Sequence, residues 1–246
     1  WKRVETLATH PTHMLAVFGI QPGLEIIELE GARRLNGFTI EQTRDRAATP
    51  THSAALHPRG DLVATGSQDK KIRLWDLSSG SLVETLSGHR RAVAGLAFDD
   101  DGSHLVSVGS DSELRRWELS AGMCVSDQRL GPSPLTLVRR LGDSGHFVTS
   151  DMRGEVFVWT VGDGDDCKRF RAHTRSIRDV TVLDASHFAT VADDGELRIW
   201  SRHHTDIVAW FDGEDDLRSC TYDGTHIHVA KGDGTLNSIQ WPVEPS

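Results

Sequence analysis

Four tryptophans, Trp75, Trp117, Trp159 and Trp200, stand 42, 42 and 41 residues apart, and each closes a stretch of alternating character: KIRLW, ELRRW, EVFVW and ELRIW. A side-chain period of two belongs to a strand with one face buried. A fixed repeat near 41 residues means that one supersecondary unit recurs, because such a unit cannot bury both its faces alone. Ten residues before each Trp stands a hydroxyl, Thr65, Ser107, Thr149 or Thr190, inside a second alternating run. Six residues before it stands Asp69, Asp111, Arg153 or Asp194, in the polar turn between the runs. Two alternating runs joined in this way predict an antiparallel hairpin.

A preceding strand is predicted over VAGLAF (93–98), LTLVRRL (135–141) and IRDVTVL (177–183), and a following one over LVETL (82–86) and CKRFR (167–171). The template extends outward with weaker spelling. MLAVFGIQPGLEIIEL (14–29) places Gln21 at the turn and Ile27 in the Trp slot, and HIHVAKGDGTLNSI (226–239) places Asp233 and Ile239 there. The predicted class is therefore all-β, one domain over residues 1–246. Its six units run roughly over 1–44, 45–87, 88–129, 130–170, 171–211 and 212–246, each a four-stranded antiparallel sheet.

The pattern resembles the WD-repeat β-propeller family. The resemblance is carried by SGH (87–89), Asp111 with RRWEL (115–119), Asp69 with LWDL (74–77), and AH (172–173) with Asp194 and IW (199–200). It implies six blades about a central channel. It also implies a network inside each complete blade, joining a histidine before the first strand, the hydroxyl, the turn aspartate and the tryptophan. Two units spell it in full: His89, Ser107, Asp111 and Trp117, then His173, Thr190, Asp194 and Trp200. Unit four has Pro132 where unit three has His89, and Arg153 at the turn, so its network is expected to be absent. VETLA (4–8) aligns as the first strand of unit one. The last blade is therefore expected either to hold three strands or to be completed by residues outside this chain. The closing unit, LRSCTYDGTHIHVAKGDGTLNSIQW, is similar to the last blade of propellers attached to large multidomain signalling ATPases.

Serine, histidine and aspartate together could be read as a hydrolase triad. Here the trio recurs in register with the repeat, with its hydroxyl mid-strand and its aspartate in a hairpin turn, so it is assigned to the sheet interiors and no catalytic residue is expected. His10, His13, His203 and His204 fall in predicted loops without cysteine or acidic partners in register, and no metal site is expected there. DDDG (99–102) and GDGDD (162–166) lack the ligand spacing of a calcium loop. Cys124, Cys167 and Cys220 form no CxxC pair, which signals neither a zinc knuckle nor a disulfide framework and points to a reducing, cytoplasmic location. No glycine-rich phosphate cradle is present, so no cofactor is expected. A net charge of −9 argues against nucleic acid and anionic lipid as partners. No apolar run is long enough to span a membrane as a helix.

The resemblance further implies that the loops before each first strand and the turns between second and third strands share one face. Gln68, Arg90, Arg91, Ser110, Met152, Arg175 and Asp193 are expected there as partner-binding residues, with the long entrance EQTRDRAATPTH (41–52) beside them. The expected function is a non-catalytic interaction scaffold or sensor module of a larger signalling protein. Its partner would be a protein, a peptide or another domain of the same protein. The alternative is a propeller that binds a small ligand, or hydrolyses a substrate, at the channel mouth.

Overall fold

The structure is a computed structural model. It describes residues 4–10, 15–20, 23–28, 33–39, 51–142, 145–160, 167–202, 206–213 and 217–242, the first four segments by their backbone alone. The described residues form strands and turns without a helix, and the chain divides into two compact units, Trp1–Leu135 and Thr136–Ser246.

The first unit holds three sheets, each a meander of four sequential antiparallel strands. The first comprises β1 (Val4–His10), β2 (Leu15–Ile20), β3 (Gly23–Glu28) and β4 (Arg33–Thr39). The second comprises β5 (Thr51–Leu56), β6 (Leu62–Ser67), β7 (Lys71–Asp76) and β8 (Leu82–Ser87). The third comprises β9 (Val93–Phe98), β10 (His104–Gly109), β11 (Glu113–Glu118) and β12 (Met123–Arg129). Sheets two and three bury their facing residues in one cluster of Ile72, Leu74, Leu86, Val93, Leu96, Leu105 and Trp117. The alternation in the sequence thus becomes two buried faces meeting.

The second unit repeats the plan with β13 (Leu135–Leu141), β14 (His146–Asp151), β15 (Glu155–Thr160) and β16 (Lys168–Arg171), then β17 (Ile177–Val182), β18 (His187–Ala192), β19 (Glu196–Ser201) and β20 (Ile207–Asp212). Its last sheet, β21 (Leu217–Tyr222), β22 (His226–Lys231) and β23 (Leu236–Gln240), has three strands among the described residues. Both expected forms of the closing sheet draw these three strands from this chain. β1 pairs with β2 from Val4↔Ile20 to His10↔Leu15, so the chain's first strand belongs to the first sheet. Trp200, Val180 and Phe188 help fill one cluster of this unit, and Leu197, Ile199, Ile227 and Trp241 help fill another.

Two local devices place the loops. In every described hairpin between second and third strands the residue after the turn position has positive φ: Lys70, Ser112, Gly154, Gly195 and Gly234. Gly154 shows why the position favours glycine in sheet four, since a Cβ there would lie 2.4 Å from the carbonyl oxygen of His173. The second device is a bulge at the start of the first strand, which leaves His52, Arg178 and Arg218 outside the ladder and exposed.

Candidate functional site

The two complete networks close with every donor matched. In sheet three the Trp117 indole N–H donates to Ser107 Oγ at 2.8 Å, and the serine hydroxyl meets His89 Nε2 at 2.7 Å. His89 Nδ1 faces the Asp111 carboxylate at 3.0 and 3.1 Å. Sheet five repeats this with Trp200 to Thr190 at 2.8 Å, Thr190 to His173 at 2.7 Å, and His173 to Asp194 at 3.0 and 3.1 Å. The Asp111 and Asp194 carboxylates can only accept, so each histidine carries a proton on Nδ1, and burial keeps the imidazole neutral, which leaves Nε2 to accept the hydroxyl hydrogen. Burial holds the His89 and His173 pKa below the usual 6.5, against the pull of the neighbouring aspartates. Burial would raise Asp111 and Asp194, but the N–H groups of Arg90 and Thr174, together with the histidines, leave both below 3.8. Ser107 and Thr190 are fully buried, so neither hydroxyl meets solvent where a substrate could reach it.

Sheets two and four use parts of the same device. Trp75 donates to Thr65 at 2.9 Å, while Asp69 binds Arg73 at 2.5 Å in place of a histidine. Sheet four lacks the four-member network, with neither its histidine nor its turn aspartate, but keeps one part of it: Trp159 donates to Thr149 at 3.0 Å. The turn is held instead by Asp151, buried, whose Oδ1 accepts the N–H of Arg153 at 2.8 Å and of Glu155 at 2.9 Å. Sequence reasoning missed Asp151. Its spelling, an aspartate two and four residues before the N–H groups it accepts, was available as an Asx-turn pattern.

His89, Asp111 and Glu113, and likewise His173, Asp194 and Glu196, bring three metal-capable atoms within 4.8 Å. Their lone pairs are already engaged. Glu113 binds Arg115 at 2.6 Å and Glu196 binds Arg198 at 2.5 Å, while the imidazoles serve the networks. These trios fit hydrogen-bonded pins rather than a cation cage.

The seven loop residues divide between the units. In the first, the Arg90 N–H donates to Asp111 at 2.7 Å, its guanidinium lies 3.9 Å from Glu113, and Arg91 is exposed beside it. The Ser110 N–H donates to the Ala92 carbonyl at 2.9 Å, which places Ser110 on the same loop end. Gln68 sits exposed on the β6–β7 turn. In the second unit Met152 is exposed on the β14–β15 turn, the Arg175 guanidinium donates to the Asp193 carbonyl at 3.4 Å, and the Asp193 carboxylate binds Arg178 at 2.5 Å. Opposite these loops, Asp99 binds His104 at 2.9 Å across the β9–β10 turn, so part of the acidic run caps a strand. The side chain of His10, and residues His13, His203, His204, 41–50 and 162–166, lie outside the described residues.

The profile of the WD domain, G-beta repeat family matches residues 47–76, 80–118 and 164–201. A solved structure titled "Structure of U3-55K" superposes with a TM-score of 0.86 at 20% identity, covering 96% of this chain and 77% of that one. "Crystal structure of RRP9 WD40 repeats" gives 0.86 as well, over 96% and 76%. The chain is a WD-repeat β-propeller domain. Its third blade spells the family pattern in full, and the unmatched interval 119–163 contains most of blade four, where the histidine and turn aspartate are missing. Among curated proteins, the propeller is 24% identical to SIR4-interacting protein SIF2 of Saccharomyces cerevisiae over 216 residues, 76% of this chain and 40% of that protein. It is 44% identical to nuclear distribution protein PAC1 of Mycosarcoma maydis over 69 residues, 28% of this chain and 15% of that protein. Pre-mRNA-processing factor 19 of Bos taurus is 28% identical over 52% of the chain and 26% of its own length. The propeller thus spans at most 40% of the length of these relatives. Domains of this family are in general interaction scaffolds.

Proposed function

We propose that this propeller is a non-catalytic interaction module that captures a protein or peptide. The capturing residues are Gln68, Arg90, Arg91 and Ser110 in the first unit, and Met152, Arg175 and Asp193 in the second. One contrast carries the reading. The hydroxyl, histidine and aspartate sets are consumed inside the blades, whereas Arg91 and Arg175 are exposed on loops and form no ion pair with a carboxylate among the described residues. An exposed guanidinium offers a planar fork of donors and is enriched among residues that dominate binding energy. The name of SIF2, a relative over three quarters of the chain, states an interaction with a protein, which supports the same class of role. We place the module in a larger signalling protein, as a sensor or regulator of attached domains, in a reducing cytoplasmic setting. Cys124, Cys167 and Cys220 form no disulfide among the described residues, which is in keeping with that compartment.

Hydrolysis or ligand binding at a channel mouth has less support: the two blade trios are the only groups of three His, Cys, Asp or Glu ligand atoms within 4.8 Å of one another among the described residues. The test is capture by the 246-residue chain as bait against its Arg90→Glu, Arg91→Glu, Arg175→Glu variant. Loss of the captured partner at an unchanged thermal midpoint is expected. Undiminished capture removes these loops from the function.

A further inference from the structure

Position 153 is a charge reversal within the repeat. The equivalent turn residues are Asp69, Asp111 and Asp194, and each is tied down: Asp69 by Arg73, Asp111 by His89, Asp194 by His173. In sheet four Asp151 performs the turn's hydrogen bonding from two residues earlier, which releases Arg153 to solvent. Two other arginines converge on the same backbone. Gly154 accepts the N–H of Ala172 and His173 at 2.9 and 3.0 Å, and a Cβ on it would lie 2.5 Å from the Arg175 carbonyl oxygen, so the 153 turn abuts residues 172–175. The Arg171 Nε–H donates to the His173 carbonyl at 3.3 Å.

Every described carboxylate on these turns and strands is already engaged. Glu155 binds Arg169 at 2.6 Å, Asp193 binds Arg178 at 2.5 Å, Asp194 serves His173 and Thr174, and Asp151 serves the turn. Arg153, Arg171 and Arg175 are exposed and form no ion pair among the described residues, in a chain whose net charge is −9. Met152, 56% exposed, stands beside them.

We propose that Arg153, Arg171 and Arg175 form the receiving surface for a carboxylate-rich segment of a protein partner, with Met152 taking an apolar residue that flanks the acidic run. This rests on the interaction-module reading and names the partner's chemistry. The argument is charge complementarity: guanidinium groups without carboxylates of their own accept them in bidentate pairs, and an adjacent thioether side chain adapts to an apolar neighbour. A nucleic acid strand fits less well, since single strands are held by aromatic stacking together with a basic groove, and none of these four side chains is aromatic.

The experiment is fluorescence polarisation with a labelled oligo-glutamate peptide carrying one leucine, titrated with the 246-residue chain. Saturable binding that weakens with salt is expected, falling at least about tenfold in Arg153→Asp with Arg171→Glu. Arg153→Asp alone restores the residue type of the sister turns, should fold normally, and should weaken binding in the same direction. Arg59→Glu, exposed on the β5–β6 turn of the first unit, should leave it unchanged. Absence of peptide binding, equal binding by the double variant, or preference for an oligouridylate competitor each overturns the proposal. If the Arg90, Arg91, Arg175 variant loses its partner while peptide binding ignores Arg153 and Arg171, the interaction-module reading stands and this inference falls.

Discussion

Replacing Ser107 with alanine tests the blade network at the atom on which it turns. The hydroxyl oxygen accepts the Trp117 indole N–H at 2.8 Å and its hydrogen satisfies His89 Nε2 at 2.7 Å, in a site with no solvent exposure. Removing it orphans one donor and one acceptor at once, and the missing atom leaves too little space for a replacing water. A buried polar group left unsatisfied costs about 1–3 kcal/mol, so Ser107→Ala should lose about 3 kcal/mol. For a domain of this size that is a fall in thermal midpoint of about 6–12 °C. Thr149→Val in blade four supplies the contrast. There no histidine shares the hydroxyl, so only the Trp159 N–H, bonded at 3.0 Å, loses its partner, one orphaned group in place of two. That change should cost about 1 kcal/mol. Circular dichroism melts of the two variants read the difference. Equal losses, or a Ser107→Ala loss under about 1 kcal/mol, would refute the claim that the relay is satisfied only as a whole.

Stability should also depend on acidity in a defined window. His89 and His173 are neutral in the fold with lowered pKa, while in the unfolded chain they take protons near pH 6.5, so the unfolded state binds more protons below that value. Stability is then full above about pH 6.5 and falls below it, by up to about 2.7 kcal/mol per pH unit for the pair, until the folded pKa is reached. Asp111 and Asp194, held below 3.8, add a further loss as pH drops beneath that range. A thermal midpoint that stays flat between pH 7.5 and 5 would contradict both neutral imidazoles. In blade four, Asp151→Ala should cost about 2 kcal/mol by freeing two turn N–H groups. Hydrogen exchange should then accelerate at the Arg153 and Glu155 amides first, and unchanged exchange there would show that the turn does not depend on Asp151.

Spacing alone determined the architecture, because a strand's period of two and a blade's period near 41 residues are both properties of the chain, readable before any contact forms. Predicted strands such as 93–98 and 135–141 coincide with β9 and β13 to the residue, and the hydroxyl-to-tryptophan interval of ten places Ser107 opposite Arg115 in the ladder, within reach of the Trp117 ring. The sequence offered a local Asx-turn spelling at Asp151, but not that this residue takes over the turn when Arg153 replaces the aspartate. Arg153 at the turn read as a lost network, and the tertiary structure gives the turn to Asp151 and keeps the Thr149 and Trp159 bond. The protonation of His89 and His173 was equally out of reach, since it follows from burial and from the carboxylate that faces Nδ1. Local pattern specifies elements through period; the roles of individual polar side chains depend on partners brought together by packing, at separations of twenty residues or more, and only the folded chain supplies them.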